Sequence, residues 1–309
     1  MITTVTMNAS IDKAYQIKGR VNPGTVTRVF SCRNSAGGKG LNVARIIRLC
    51  GVSVKASGIA GGYNGDYLLK LLDQDGITHD FFRVKGETRS CINVLAEDLS
   101  STEFLEPGCE VSAKEREGFA GFFKTVTADS SILTISGSVP KGFSAGIYAE
   151  LIKTAKDRKK TILLDTSGAY LREGLAAVPD FVKPNREELE ELFGDKPDTM
   201  KEVIFCGKKL QKMQIPYVVI SLGAEGALLF CEDGCFHGKA EKINAINTVG
   251  CGDSMVGAFA AALSRKETPK DCLAYSVAVS AANALSVKTG YFEEKDLDRI
   301  LDGVTVKRL

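Results

Sequence analysis

Two glycine-rich segments run directly into sequences patterned as helices. The first is Ala36-Gly37-Gly38-Lys39-Gly40, followed by LNVARIIRLCG; the second is Asn247-Thr248-Val249-Gly250-Cys251-Gly252-Asp253, followed by SMVGAFAAAL. A helix start with unhindered backbone N–H groups attracts anions such as phosphate. In the second segment Gly250 and Gly252 stand beside the Asp253 carboxylate. Aspartate is a favoured helix N-cap, and that is the plain reading of Asp253. A cap does not account for both glycines, which suggest that another molecule approaches the backbone closely. A carboxylate beside an anion hole is an electrostatic conflict unless it accepts a proton from a hydroxyl that attacks the bound phosphate. Neither segment carries GxxxxGK[ST], and neither has a full GxGxxG followed by an acid about 20 residues on. Tight turns ahead of helices are the alternative for both. Cys251, at a helix start, is expected to have a lowered pKa and to react with alkylating agents; a buried inert thiol is the alternative.

Asn185 and Glu188 have the spacing of an N-cap and its N3 acid, close to a capping box. The functional reading of the same pair is Glu188 holding a hydrated Mg2+ near nucleotide phosphates. In Thr6-Met7-Asn8-Ala9-Ser10-Ile11-Asp12, a period of two aligns Asn8, Ser10 and Asp12 at a strand end, toward sugar hydroxyls or in a surface turn.

The elements that position these groups alternate. Strands are expected over Ile2–Met7, Ser131–Ser136, Thr161–Asp165, Phe181–Lys183 and Tyr217–Leu222. Helices are expected over Leu41–Cys50, Asp66–Asp73, Ala145–Lys156, Arg186–Leu192, Lys201–Met213, Ser254–Ser264 and Asp271–Leu285. This order predicts an α/β fold with a mostly parallel sheet and helices on both faces. Ligands of such sheets bind beyond the carboxyl ends of the strands. The loops there read Ser136-Gly137-Ser138, Asp165-Thr166-Ser167-Gly168, Lys183-Pro184-Asn185 and Ser221-Leu222-Gly223-Ala224-Glu225-Gly226. Residues 11–33 and 88–106 break the rhythm as short alternating strands. Arg89, Cys91 and Asn93 share one face of such a strand, which suggests a lid over a site, or else a solvated outer face. With no internal repeat or linker, residues 1–309 read as one domain with a lid inserted in two pieces.

Composition narrows the function classes. Forty Lys+Arg against 38 Asp+Glu give a net charge of +2 over 309 residues, so binding to nucleic acid or an anionic membrane through a strong global field is not expected. The nine cysteines include no CxxC, and only His79 and His237 are present. A zinc site or a His-based triad therefore has few parts. The N-terminal stretch lacks the pattern of a signal peptide. A cytoplasmic protein with free thiols is expected.

Taken together and in order, TMNASID, AGGKGLNVAR, Thr88-Arg89, Ser136-Gly137-Ser138, Lys183-Pro184-Asn185 with Glu188, Ser221-Leu222-Gly223 and NTVGCGDS resemble the ribokinase-like (phosphofructokinase-B) carbohydrate kinases. The chain is most similar to the branch holding tagatose-6-phosphate kinase and 1-phosphofructokinase. The resemblance implies a three-layer α/β/α core with a small β-sheet lid, and transfer of the ATP γ-phosphoryl group to a sugar hydroxyl. It implies Asp253 as general base and the amides of Gly250, Cys251, Gly252 and Asp253 as an anion hole. Asp12, Gly38, Lys39, Asn42, Arg89 and Ser138 would line the sugar-phosphate site, with Arg28, in a lid strand, as a further phosphate ligand. Lys183, Asn185, Glu188, Ser221, Gly223 and Gly226 would face ATP and Mg2+, and Asn283 would lie near the adenine. One departure is Cys251, where the family usually has alanine.

Three cations, Lys39, Arg89 and Arg28, suit a sugar phosphate better than a neutral sugar. The segments Ser90-Cys91-Ile92 and Thr102-Glu103-Phe104-Leu105-Glu106 are more similar to tagatose-6-phosphate kinases than to 1-phosphofructokinases. The expected reaction is therefore tagatose 6-phosphate to tagatose 1,6-bisphosphate, with fructose 1-phosphate as the alternative acceptor. A non-catalytic sensor of sugar phosphate or nucleotide would not need Asp253, and an NAD-dependent enzyme lacks its fingerprint. The open edges of a lid sheet point to a homodimer through the lid.

Overall fold

The computed structural model describes residues 1–98 and 100–309. In chain order its strands begin with β1 (Ile2–Thr6), β2 (Ser10–Ile17), β3 (Val29–Gly37), β4 (Val54–Gly61), β5 (Thr78–Val84), β6 (Arg89–Leu95) and β7 (Ser101–Leu105). They continue with β8 (Ile132–Ser136), β9 (Thr161–Asp165), β10 (Phe181–Val182), β11 (Tyr217–Ser221), β12 (Ala227–Cys231), β13 (Gly234–Lys239) and β14 (Thr305–Arg308). The helices are α1 (Lys39–Leu49), α2 (Gly62–Gln74), α3 (Ala113–Val126), α4 (Ile147–Lys156) and α5 (Gly168–Leu175), then α6 (Arg186–Phe193), α7 (Met200–Gln211), α8 (Cys251–Ser264), α9 (Pro269–Ala284) and α10 (Glu294–Asp302).

Ten strands form the main sheet in the order β14-β13-β12-β11-β10-β9-β8-β1-β4-β5. From β5 to β11 every pairing is parallel; β12, β13 and β14 add antiparallel strands at one end. The expected strands are all present, and both faces are covered. Because successive side chains alternate, Leu163 and Val219 pack with α1, α8 and α9, while Ile162, Leu164, Val218 and Ile220 pack with α3, α4 and α7 on the opposite face. Phe259 of α8 stacks on Phe181 with ring centroids 4.7 Å apart, which fixes the helix that carries Asp253 beneath the central strands.

The chain starts in the middle of this sheet. β1 pairs with β4 on one side and, after the chain has built β5 and the lid, with β8 on the other. Loops after β1 and β8 therefore diverge from neighbouring strands, which opens a crevice at their carboxyl ends.

The lid is a separate four-stranded sheet, β3-β2-β6-β7. Its strands cover Ser10–Gly37 and Arg89–Leu105, against the expected 11–33 and 88–106. The extra length arises because β3 continues through Ala36-Gly37, read from the sequence as loop. Pairing of Ser10 with Arg89 and Asp12 with Cys91 puts Arg89, Cys91 and Asn93 on one face with Ser10, Asp12 and Ala14. The reading of Asn8, Ser10 and Asp12 as one strand end is corrected: β1 stops at Thr6, a turn follows at Met7-Asn8, and β2 begins at Ser10.

Among the described residues no helix is long and apolar enough to cross a membrane. All nine cysteines are free thiols.

Candidate active site

The site assembles around the first turn of α8. Gly250 is its N-cap, with φ 79°, a conformation that favours glycine, and a Cβ there would stand 2.6 Å from Thr289 Cγ2. No side chain caps the helix, so the first-turn N–H groups of Gly252 and Asp253 lack the partner that a capping residue would supply, while the Cys251 N–H donates to the Thr248 carbonyl at 3.3 Å. A Cβ on Gly252 would lie 3.1 Å from Lys183 Nζ, which places that ammonium against the same turn. Asp253 is not the N-cap but the third residue of the helix. Its buried carboxylate accepts a hydrogen bond from Asn42 Nδ2 at 2.8 Å through Oδ2. Burial pushes its pKa up to about 6; Lys39, Asn42 and Lys183 pull against that shift, and Asp165 adds to it.

Cys251 departs from expectation. Its thiol is largely enclosed, Sγ accepts from Asn283 Nδ2 at 3.5 Å, and burial pushes the thiol pKa up rather than down. A reactive thiolate is not what this helix start produces.

Beneath the turn lies a residue that sequence reasoning left in its loop. Asp165 ends β9 and is 1% exposed. Its Oδ2 is 3.5 Å from Lys39 Nζ, and its Oδ1 is 3.2 Å from Lys183 Nζ as an ion pair off the hydrogen-bond direction. Burial would raise its pKa, but the two ammoniums together hold it below the ordinary value. Asp165, Glu188 and Asp253 thus face Lys39 and Lys183, three acids against two cations. Asp253 and Glu188 are the members whose carboxyls burial pushes up.

The acceptor side starts at α1. Gly38 is its uncapped N-cap at φ 110°, and a Cβ there would meet Thr6 Cγ2 at 2.8 Å. Lys39 follows, and Asn42 lies one turn further, toward Asp253. Ser138 accepts from Asn8 Nδ2 at 3.1 Å, joining the loops after β8 and β1 across the crevice. The Gly137 carbonyl accepts from both Tyr148 and Thr166 hydroxyls at 2.9 Å, which fixes the loop that carries Ser138. Asp12 accepts from Ser10 Oγ at 2.6 Å; burial raises its carboxyl, against the pull of Ser10, Arg45 and Arg89. Arg89 donates to the backbone carbonyls of Asn8 and Glu106, at 3.2 and 2.9 Å, which aims the guanidinium from the lid root.

Lys39 reaches Asp165, while Arg89 is held at the lid root. One expectation changes here. Arg28 lies in the exposed segment before β3, not in a lid strand. The register pairs Ser10 with Arg89 and Ile17 with Val29, so Arg28 stands at the far end of the lid, on the order of 20 Å from Arg89 along the strand.

After β10, Asn185 caps α6 and shares a full capping box with Glu188. Asn185 Oδ1 accepts from the Glu188 N–H at 2.8 Å, and Glu188 Oε2 accepts from the Asn185 N–H at 2.9 Å. Glu188 keeps its other oxygen outside that box. The Ser221 N–H donates to the Pro184 carbonyl at 3.1 Å, and Gly223 opens a short 3-10 turn that ends at Gly226. Asn283, expected near the adenine, is fully buried, donating to the Val249 carbonyl at 3.1 Å and accepting from the Gly290 and Tyr291 N–H groups at 2.9 and 3.2 Å. It ties the Gly250 loop to the loop after α9.

Asp253 carries a stability signature. A carboxyl near 3.8 in the unfolded chain and about 6 in the fold favours folding while protonated and disfavours it once ionised. Its destabilising effect grows as pH rises between those values and is full above them. Asp253→Asn should therefore melt higher than the unmodified protein near pH 8, by the equivalent of about 1–3 kcal/mol, with the advantage fading toward about pH 4. Thermal unfolding across pH measures this, and a variant less stable at every pH would contradict it.

The chain is similar to known proteins along nearly its whole length. The model of the pfkB family carbohydrate kinases matches residues 5–296. Phosphofructokinase-2 from Escherichia coli superposes with a TM-score of 0.92 at 29% identity, covering 97% of this chain and 98% of that one. A protein named as a possible 1-phosphofructokinase from Thermotoga maritima gives 0.86 at 23% identity, covering 100% and 99%. Ribokinase from Thermotoga maritima gives 0.78 at 21%, covering 97% and 99%, and shares the fold. The chain belongs to the pfkB family of carbohydrate kinases and is an ATP-dependent sugar kinase with a ribokinase-like fold.

Proposed function

We propose that the protein phosphorylates tagatose 6-phosphate at its C1 hydroxyl, giving tagatose 1,6-bisphosphate. The observation that carries the chemistry is the buried Asp253 carboxylate, which shares a helix turn with uncapped N–H groups. Arg89, aimed from the lid root, holds the phosphate already on the sugar. Asp12 and Ser138 meet ring hydroxyls, Asn42 lines the site beside them with its amide taken up by Asp253 and Arg45, and Gly38 lets the chain approach closely. Lys183, Asn185, Ser221, Gly223 and Gly226 bind ATP. Asp253 takes the proton of the attacking hydroxyl as the phosphoryl group moves, and the amides of residues 250–253, with Lys39 and Lys183, meet the charge on that group. A carboxylate near pKa 6 is ionised at neutral pH yet basic enough to accept a proton, so turnover falls as pH drops through about 6.

Among the described residues no three His, Cys, Asp or Glu side chains cluster to hold a metal ion. A single acid with one free oxygen, Glu188, fits a Mg2+ that keeps most of its water and is held mainly by phosphates. When bound, that ion neutralises phosphate charge.

The substrate choice rests on the lid. Arg89, Cys91 and Asn93 share the face that carries Asp12, and Glu106 clips β6 to β7 by accepting from the Ser90 N–H at 2.7 Å. Fructose 1-phosphate, with phosphate at one end and a primary hydroxyl at the other, is the alternative acceptor. The lid also exposes Phe30, Phe104 and Leu105 on its two edge strands, and a second copy of the chain would cover them in a homodimer. Nine free thiols suit the cytoplasm.

ADP release with ATP and each sugar phosphate tests this reading. Tagatose 6-phosphate should give the highest kcat/KM, and Asp253→Asn should lose about 10²-fold or more in kcat. A clear preference for fructose 1-phosphate would move the assignment to the neighbouring activity, and near-normal turnover of Asp253→Asn would remove the base. Light scattering should give twice the 33.2 kDa chain mass; a monomer would remove the lid dimer.

A further inference from the structure

Arg45 lies three residues after Asn42 on α1, hence on the same face of the helix. Its guanidinium is mostly enclosed and makes three separate commitments. Nε donates to Asp75 Oδ2 at 2.8 Å, on the residue that closes the C-terminus of α2. Nη2 donates to the carbonyl of Ala36, a fully buried residue at the end of lid strand β3. Nη1 donates to Asn42 Oδ1 at 3.1 Å.

The third contact decides which way Asn42 points. A carboxamide offers an acceptor at one end and donors at the other, whereas a guanidinium has only donors. Arg45 therefore holds the oxygen of Asn42, and the Nδ2 end is left facing Asp253 Oδ2 at 2.8 Å. Asn42 is 6% exposed, so its oxygen has little water to replace Arg45. An unbroken chain runs from Asp75 through Arg45 and Asn42 to Asp253, with a branch to the lid root.

We propose that Arg45 is a positioning residue: it fixes the Asn42 amide against Asp253 and ties that orientation to the root of the lid. This rests on the reading of Asp253 as the general base. The groups that face Asp253 are Asn42 and Lys39 from α1, Asp165 from β9 and Lys183 from the segment after β10. Arg45 itself faces Asp75 and acts on Asp12. Without Arg45 the Asn42 donor is held less firmly, the ionised form of Asp253 loses support, and the base binds its proton more tightly.

The test is kcat against pH for the full-length protein at saturating ATP and its best sugar-phosphate acceptor, with melting temperature followed in parallel. In Arg45→Met the acid limb should move up by about half to one pH unit, with kcat near pH 6 reduced about two- to fivefold and recovering at higher pH. Arg45→Lys, which keeps the charge but not the forked guanidinium, should fall between. A lower melting temperature with the acid limb unmoved would overturn the proposal. If Arg45→Met does not fold, Arg45→Lys and Asp75→Asn decide: a smaller shift in the same direction supports it, and unmoved limbs in both overturn it. Asp253→Asn separates the two levels. If that variant turns over normally, the base reading fails; if it is inactive while the Arg45 limbs stay in place, only the Arg45 proposal fails.

Discussion

The site depends on one buried carboxylate held between two ammoniums. Asp165, at the end of a central strand, stands 3.2 Å from Lys183 and 3.5 Å from Lys39. Burying such a group is costly, and an apolar residue of similar size is often at least as stable in its place. What the arrangement supplies is position. Lys183 reaches it from the segment after β10, beside Gly252, and Lys39 from the start of α1 beside Gly38. One acid thereby ties the segment after β10 to the start of α1, which the proposed function assigns to the nucleotide and to the acceptor.

The same charge count explains Asp253. Three acids and two lysines act on one another here, and the acids cannot all be ionised at equal ease. Asp165, flanked by both cations, stays ionised; Asp253, supported by Asn42 but enclosed in α8, is the one pushed up to about 6. Environment rather than residue type divides the two aspartates: one is held ionised as a counter-ion, and the other has the raised pKa that the proposed proton acceptor requires. Uncapped N–H groups in the same helix turn then meet negative charge without rearrangement.

Much of this was legible in the sequence, because the anion-binding parts are written in backbone requirements. Gly38 and Gly250 occupy positive φ at helix starts, and the Asn185–Glu188 spacing became a full capping box. The strands at the centre were visible as apolar runs. Strand β4 was not, since its Ala, Ser and Gly residues fit tightly between neighbours without an apolar signature. Asp165 looked like an ordinary loop residue, because its meaning comes from Lys39 and Lys183, 126 residues before it and 18 after it. Nothing in the sequence singled out Arg45, whose partners Asn42, Asp75 and Ala36 meet it only in the fold. Arg28 went the other way: it was expected in a lid strand near the phosphate, and lid register places it at the far end.

The most direct test of the account is the pair of steady-state KM values of Asp165→Asn, an isosteric change that removes the charge holding both lysines. Loss of a charge-assisted contact on each side predicts that KM rises for ATP and for the sugar phosphate together, by roughly ten- to a hundredfold each. A rise confined to one substrate, or to neither, in a folded variant would show that Asp165 does not join the two halves of the site.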